Sequence, residues 1–179
     1  MAETRACLRS IATADSNVSR ILAALNEVVT PDFGAGFFAT VLFAKIDPRE
    51  KTLSYSNAGH VPGYLFNTRG RIKHVLSSTG TPIGLFKDFE CPSGGSVKLD
   101  PGSLLVFMTD GITEAEAQNG SMMGSKPVLK FIRRNRHKSA GYLSRGLFRL
   151  AKNFAGNPTD RSEMILLRSS AKSAERNIL

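Results

Sequence analysis

Hydrophobic positions recur with two different periods along the chain, and the change of period separates helical parts from strand-forming parts. Residues 2–13 are predicted to form a helix that begins at the start of the chain. Apolar residues then recur at helical spacing over positions 18–29, and Asp15 or Ser16 supplies the N-cap. Because the residue before a proline disfavours helical backbone angles, this second helix is predicted to end before Pro31.

The middle of the chain has the pattern of short strands joined by tight turns. A nearly continuous apolar run over 37–46 predicts a buried strand, and residues 52–57 are its expected hairpin partner. Turn-forming residues at 67–70 and at 100–102 predict two more hairpins. Their strands are residues 63–66 with 72–76, and residues 96–99 with 104–109.

The last third of the chain returns to helical spacing. Positions 126–136 and 140–154 are predicted helices, and 163–168 is a short final strand. Helices and strands that are segregated in this way indicate an α+β fold with antiparallel sheets. Because several strands are apolar on both faces, helices must cover the sheets, and a layered α-β-β-α sandwich is expected.

Length and composition fit one soluble domain. The chain has 179 residues, of which 41% are hydrophobic and 22% are charged, as in globular proteins. No apolar run approaches the roughly 20 residues of a membrane-spanning helix, and the start of the chain lacks the apolar segment of a secretory signal. Cys7 and Cys91 are the only cysteines, and we expect them to be reduced thiols in the cytoplasm.

The net charge is +9, and its densest cluster lies at the end of the predicted helix 126–136. The cluster consists of Arg133, Arg134, Arg136, His137 and Lys138. A solvated basic face is the preferred interpretation, and nucleic-acid binding is the alternative. The cluster lacks an interleaved aromatic platform, so no nucleic-acid partner is predicted. An acidic or phosphorylated protein partner is equally compatible with it.

The first candidate functional residues are Asp110 and Gly111, which directly follow the apolar run 104–109. A carboxylate at a strand end is presented from a rigid element, and a glycine after it permits a sharp backbone turn. Hard cations such as Mg²⁺ and Mn²⁺ prefer carboxylate oxygens. A turn aspartate that caps the next segment is the alternative, and the dipeptide alone favours that alternative.

Five motifs, taken together in their order and spacing, favour the metal-binding interpretation of Asp110 over the turn aspartate. They read FATVLFAKID, YSNAGHVP, GTPIG, LDPGS and TDGITEA, at residues 38–47, 55–62, 80–84, 99–103 and 109–115. In this order and spacing they resemble the SpoIIE-type branch of the PPM serine/threonine phosphatases, over about residues 2–168. The resemblance implies two stacked antiparallel sheets flanked by helices. It also implies two Mn²⁺ or Mg²⁺ ions that share a bridging water.

The resemblance assigns roles to individual residues. Asp110 matches the family's strand-end metal aspartate, with the backbone of Gly111 beside the metal. Asp160 matches a second metal aspartate before the last strand, and a loop aspartate after Pro158 is the alternative. Glu114 either orients the Asp110 loop or is a solvated residue at a helix start.

The NAGH motif is expected at the edge of the same site. By the resemblance, Asn57, Gly59 and His60 lie near the metal-binding edge. His60 either contacts a phosphate or acts as an acid, and the alternative is a hydrogen-bonded structural histidine.

The family's first acidic motif should precede the first helix, and this sequence contains no such motif. The resemblance therefore predicts a phosphatase domain over 1–170 that is incomplete at its N-terminus, with a basic tail over 171–179. A fragment of a longer, active protein is the preferred interpretation. A degenerate protein that keeps the fold without catalysis is the alternative.

The expected function is hydrolysis of phosphoserine or phosphothreonine on a regulatory protein in bacterial signalling, by metal-activated water. The alternative is a catalytically inactive phosphatase-like module that binds a phosphoprotein or another partner. The resemblance implies a phosphorylated partner of the anti-sigma-factor antagonist type. No membrane partner is predicted.

Overall fold

The chain folds as a mixture of helices and antiparallel sheets. It is known from a computed structural model, which describes the backbone of residues 2–33, 37–156, 164–169 and 174–178 and the side chains of residues 6–33 and 37–156. Two compact units are present. The first unit comprises Met1–Pro62 and Leu76–Leu99, and the second comprises Gly63–Val75 and Asp100–Leu179.

Five helices and eight strands are found in the described ranges. The helices are α1 (Ala2–Ala14), α2 (Val18–Val29), α3 (Asp110–Thr113), α4 (Ser125–Asn135) and α5 (Ala140–Ala155). The strands are β1 (Val41–Asp47), β2 (Thr52–Ala58), β3 (Gly63–Phe66), β4 (Ile72–Leu76), β5 (Ser96–Lys98), β6 (Leu104–Met108), β7 (Met164–Ser169) and β8 (Ala174–Ile178).

The first unit contains a three-stranded antiparallel sheet of order β1-β2-β5. β1 and β2 form a hairpin in which Val41 lies opposite Ala58 and Asp47 lies opposite Thr52. The apolar face of α2 packs in a core with residues from β2 and from the segment before β5. This core contains Leu22, Leu25, Val29, Ala58, Ile83 and Cys91.

The second unit contains an antiparallel sheet of order β4-β3-β6-β7-β8. β6 is a central strand between β3 and β7, and Leu104 lies opposite Arg168 while Met108 lies opposite Met164. Helices α4 and α5 bury their apolar faces in the core of this unit. The buried side chains of this core include Phe66, Leu104, Val106, Ile112, Val128, Ile132, Leu143 and Leu147.

Most predicted elements are confirmed within one or two residues, and so is the α+β class with two antiparallel sheets and helices. The hairpin turn at 67–70 is confirmed as well, because Asn67 accepts hydrogen bonds from the backbone N–H groups of Arg69 and Arg71. No helix in the described part of the chain is long and apolar enough to cross a membrane.

The predicted hairpin around residues 100–102 is wrong. β5 pairs with β2 in the first unit, whereas β6 pairs with β3 and β7 in the second. Gly102 does adopt the positive φ of +80° that the turn signal indicates. A local turn signal fixes the backbone reversal only, and the two strands then find partners that are distant in sequence.

Three other details differ from the sequence predictions. The buried strand predicted over 37–46 begins at Val41, and Phe37 and Phe38 are 70% and 56% exposed. β1 is only partly buried because, among the described residues, β2 alone pairs with it. The N-cap of α2 is Asn17, whose Oδ1 accepts hydrogen bonds from the N–H groups of two residues in the first turn. Strand β8 lies within residues 171–179, for which the sequence predicts only a basic tail.

Candidate active site

Asp110 stands where the central strand of the second unit ends. Strand β6 is buried along nearly its whole length, at Leu104, Leu105, Val106 and Met108. Thr109 is extended, with φ −81° and ψ 165°, and α3 begins at Asp110. The Asp110 carbonyl accepts hydrogen bonds from the Glu114 N–H at 2.7 Å and the Thr113 hydroxyl at 3.2 Å. The carbonyl of Asp110 is therefore bonded within the turn that follows it, while the residue itself is exposed to solvent.

The turn after β6 is a short helical turn and not the sharp glycine turn that the sequence predicted. Gly111 lies inside α3 and is not among the glycines with positive φ. The anchor of this turn is Ile112, which has no exposed surface and belongs to the core of the second unit. A buried side chain one residue beyond the glycine fixes the turn, so left-handed backbone is not needed there.

The segment after α3 folds back onto it before α4 begins. The Gly124 N–H donates to the carbonyl of Thr113 at 2.7 Å, and the Met123 N–H donates to the carbonyl of Ala115 at 3.0 Å. Gly124 has φ +70°, which places a glycine at the point where the chain enters α4. The loop that these bonds close spans residues 113–124, and it begins after Asp110, at the end of α3.

Of the two residues predicted to bind metal, Asp110 alone lies in the described part of the chain. The exposed Asp110 carboxylate has the oxygen chemistry that Mg²⁺ and Mn²⁺ prefer. No group of three or more His, Cys, Asp or Glu side chains that could hold an ion is found there. Asp160, the second predicted ligand, lies outside the described residues. The described side chains alone therefore do not make up the two-metal site that the resemblance implies.

Asn57 ties the end of β2 to the segment 76–80 within the first unit. Its side chain is fully buried and donates to the carbonyl of Leu76 at 3.1 Å. Its backbone N–H donates to the Thr79 hydroxyl at 3.0 Å, and its carbonyl accepts from the N–H groups of Thr79 and Gly80 at 2.8 and 3.2 Å. Every polar group of Asn57 is thus used inside the protein, which is a structural role.

Gly59 and His60 complete the turn that follows β2. Gly59 has φ +68°, and a Cβ atom there would lie 2.7 Å from Cγ of Pro82, so both backbone angle and space require glycine. The His60 N–H donates to Oδ1 of Asn57 at 2.8 Å, and its ring Nδ1 lies 3.1 Å from the Thr40 hydroxyl. The His60 ring is half-buried and oriented by these contacts.

Cys91 lies beneath the same turn, and it is 2% exposed. Its thiol lies 3.3 Å from the Thr79 hydroxyl, and burial raises the pKa of the thiol above its ordinary value. A raised pKa lowers the thiolate fraction at neutral pH, so Cys91 is not prepared as a nucleophile.

The structure brings the predicted site residues together in two groups. Asp110, Gly111 and Glu114 share one loop of the second unit. Asn57, Gly59 and His60 share one turn of the first unit. Sequence reasoning missed Thr40, Ser78 and Thr79, because their roles depend on contacts with residues about 20 positions away and no local pattern marks them.

Comparison with known proteins identifies the family of this chain. The sequence model of the family "Stage II sporulation protein E (SpoIIE)" matches residues 1–170. IcfG of Synechocystis sp. is 35% identical over 111 residues, which are 62% of this chain and 17% of that protein. The phosphoserine phosphatase RsbU of Bacillus subtilis is 28% identical over 57% of this chain and 30% of its own length. The chain thus spans less than a third of these relatives.

Solved structures share the fold. The PP2C phosphatase domain of SpoIIE from Bacillus subtilis, solved with a fragment of its regulatory domain, matches with a TM-score of 0.79 and 16% identity, over 99% of this chain and 50% of that one. The SiaA-PP2C domain of Pseudomonas aeruginosa matches with a TM-score of 0.74 and 17% identity, over 97% of this chain and 67% of that one. The chain therefore belongs to the SpoIIE-type branch of the PPM, or PP2C-type, serine/threonine protein phosphatases.

Proposed function

We propose that this domain hydrolyses phosphoserine or phosphothreonine on a regulatory protein in bacterial signalling. Family membership supports the reaction, and two relatives of known sequence, RsbU and RsbP of Bacillus subtilis, are named phosphoserine phosphatases. The observation that carries the proposal is the position of Asp110. Asp110 is exposed directly after a buried strand, and its backbone carbonyl accepts hydrogen bonds within the short helix α3.

The proposal assigns Mn²⁺ or Mg²⁺ as the cofactor, with Asp110 and Asp160 as ligands and two ions in the complete family site. A bound divalent ion of this kind lowers the pKa of water and neutralises phosphoryl charge. The part of this chain's own residues is to present the Asp110 carboxylate at the start of α3, where the Asp110 carbonyl accepts hydrogen bonds from Thr113 and Glu114. Glu114 acts through its backbone N–H in this arrangement.

The proposed partner is a phosphorylated regulatory protein of the anti-sigma-factor antagonist type. The names of RsbU and RsbP, which are phosphoserine phosphatases, support a phosphoserine substrate. His60 is proposed to lie at the edge of the substrate site, with its ring oriented by Thr40. Free cysteines at positions 7 and 91 support a cytoplasmic location.

The direct test is hydrolysis of a phosphoserine peptide with Mn²⁺, measured as released phosphate for the chain and for Asp110→Asn. Asp88→Asn is the matched control, because it removes one exposed carboxylate elsewhere. We expect Mn²⁺-dependent turnover in the chain and the control, and a loss of at least about 100-fold in Asp110→Asn. Equal turnover in all three proteins would contradict the role of Asp110.

A second candidate function is a binding module that docks a phosphoprotein without cleaving it. It is favoured by the incomplete ligand set, because no cluster of three metal-binding side chains lies in the described ranges. Phosphopeptide binding without turnover, in the presence of Mn²⁺, would identify this function. Binding followed by phosphate release would exclude it.

A further inference from the structure

The whole net charge of the protein is concentrated in one helical pair. Residues 125–156, which form α4, α5 and the turn between them, contain nine Lys and Arg residues and no Asp or Glu. The rest of the chain contains 15 residues of each sign and is neutral, so this segment accounts for the net charge of +9. We call this segment the basic helix pair.

Seven of the nine cations of the basic helix pair lie within the helices, where they are exposed and recur on one side of each helix. On α4 they are Lys126, Lys130, Arg133 and Arg134, and on α5 they are Arg145, Arg149 and Lys152. Like charges four residues apart on a helix, such as Arg145 and Arg149, repel each other.

The helix dipole accounts for the positions of only some of these cations. Cations in a last turn are stabilised by the helix dipole, and this applies to Arg133, Arg134 and Lys152. Neither helix has an acidic residue in its first turn, and Lys126 stands where the dipole favours an anion. Folding alone therefore does not account for the pattern, which points to an anionic partner.

A groove runs along the same surface of α5. Its volume is about 280 Å³, and its lining combines Phe131 of α4 with apolar and cationic side chains of α5. The lining includes Phe131, Tyr142, Arg145, Arg149, Leu150 and Asn153. A space of this size suits one or two side chains of a bound peptide, with cations at its rim to pair with carboxylates.

Gly146 shapes this groove. It lies in the interior of α5, where glycine is unfavourable compared with alanine. A Cβ atom at Gly146 would lie 2.2 Å from Cζ of Phe131, so the aromatic ring packs directly against the backbone of α5. The missing side chain thus lets Phe131 line the groove, and this gives the glycine a packing reason.

We propose that the groove of the basic helix pair binds an acidic segment of the protein substrate. An apolar side chain of that segment enters the groove, and flanking carboxylates pair with Arg145 and Arg149. That the segment belongs to the substrate rests on the proposed phosphatase function, whereas the binding itself does not. A docking site of this kind adds affinity and specificity without touching the phosphorylated residue.

The shape of the surface favours a protein over the other polyanions. Single-stranded nucleic acid is bound by aromatic rings that stack successive bases, whereas Tyr142 has Lys138 over its ring, 5.7 Å from the centroid. An anionic membrane favours a helix with a continuous apolar face. On α5 the exposed Tyr142 and Phe148 are separated by the exposed Arg145.

The test measures binding directly, so that its failure is separate from failure of the phosphatase proposal. The probe is a fluorescent, unphosphorylated Glu-rich peptide with one central Phe, and affinity for the full chain is read by fluorescence anisotropy at low and high salt. We expect binding that weakens with salt. The double variant Arg145→Ala/Arg149→Ala should bind about tenfold more weakly. Both side chains are exposed, so a melting temperature that does not fall is the folding check.

The matched control is Lys45→Ala/Lys87→Ala, which removes the same charge from exposed positions of the first unit. Its affinity should stay within about twofold of the unchanged chain. Equal weakening in both double variants would overturn the proposal, because attraction would then follow net charge only. Hydrolysis of a small aryl phosphate, if present, should be the same in the unchanged chain and in the Arg145→Ala/Arg149→Ala variant.

A second variant tests the groove apart from its charge. Tyr142→Ala should weaken binding of the Phe-containing peptide about threefold and leave a peptide with Gly in place of Phe unaffected. No difference between the two peptides would overturn the role of the groove. Tighter binding of single-stranded DNA or of phosphatidylserine vesicles than of the peptide, lost in Arg145→Ala/Arg149→Ala, would overturn the choice of a protein partner.

Discussion

The side-chain amide of Asn57 donates a hydrogen bond to the carbonyl oxygen of Leu76 at 3.1 Å, and both residues are fully buried. The same side chain accepts a bond from the N–H of His60 at 2.8 Å. Replacing Asn57 by alanine leaves a buried carbonyl and a partly buried N–H without partners. Each such loss costs about 1–3 kcal/mol. The NAGH turn therefore depends on one buried amide.

We predict that Asn57→Ala lowers the free energy of unfolding by about 2–4 kcal/mol. The measurement is urea denaturation followed by circular dichroism. Asn119→Ala is the matched control, because Asn119 is exposed and accepts bonds only from Ser121 among the described residues. The control should change stability by no more than about 0.5–1 kcal/mol. Similar effects of the two substitutions would contradict the structural role of Asn57.

The second prediction separates backbone strain from steric contact by comparing two glycines in different turns. Gly59 and Gly95 both have positive φ, at +68° and +91°. A Cβ atom at Gly59 meets Pro82 at 2.7 Å, whereas nothing lies within 4 Å of one at Gly95. Gly95→Ala should cost about 1 kcal/mol from strain alone. Gly59→Ala should cost about 1–3 kcal/mol more, because Pro82 must move.

The measurement is again the free energy of unfolding, taken for both alanine variants under one set of conditions. If Gly95→Ala lowered the free energy of unfolding more than Gly59→Ala did, contact with Pro82 would not be the main reason that position 59 requires glycine. A variant at Pro82 gives a further check. Pro82→Ala combined with Gly59→Ala should recover part of the loss, since the clashing Cγ and Cδ atoms are then absent.

The third prediction concerns acid stability at the junction of α1 and α2. Asp15 accepts two hydrogen bonds from the Arg20 guanidinium, at 2.6 and 2.9 Å, and one from the Asn17 N–H at 2.8 Å. The Arg20 guanidinium, followed by the Asn17 N–H, holds the pKa of Asp15 well below its ordinary value in the folded protein. The unfolded chain therefore binds a proton first as the pH falls.

The carboxylate of Asp15 consequently contributes stability above about pH 4, and this contribution is lost as the pH falls toward the lower folded pKa. Asp15→Asn should lower the melting temperature at pH 7 and have a smaller effect at pH 2.5. Asp88→Asn, at an exposed loop position, is the control and should show no such trend. A pH-independent difference between the unchanged chain and Asp15→Asn would contradict the assigned role of the charge.

Local sequence pattern was sufficient for the elements but not for their partners. The spacing of Val18, Leu22 and Leu25 identifies α2, because one helix face must be apolar to join the core. The turn at 100–102 was also recognisable. That β5 and β6 leave this turn for different sheets depends on side chains elsewhere, so no local signal reveals it.

In the candidate site, too, local sequence identifies some residues, whereas the roles of others depend on contacts with residues distant in sequence. Asp110 could be identified because its strand is buried and its motif is recognisable, and its role as a metal ligand stays a prediction. The part played by Asn57 could not be read from its neighbours, since Leu76, Thr79 and Gly80 approach it only in the folded chain. The concentration of all net charge in residues 125–156 was visible in the sequence, but the groove between its helices was not.

The last prediction concerns thiol reactivity and its link to the reaction. Cys91 is 2% exposed and burial raises its thiol pKa, whereas Cys7 is half-buried. Iodoacetamide at pH 8 should therefore modify Cys91 at least about tenfold more slowly in the native chain than in urea. Mass spectrometry of the Cys7→Ser variant measures this rate directly. Because the proposed hydrolysis uses no cysteine, phosphatase activity of Cys7→Ser should persist after treatment, and its loss without unfolding would contradict the proposed function.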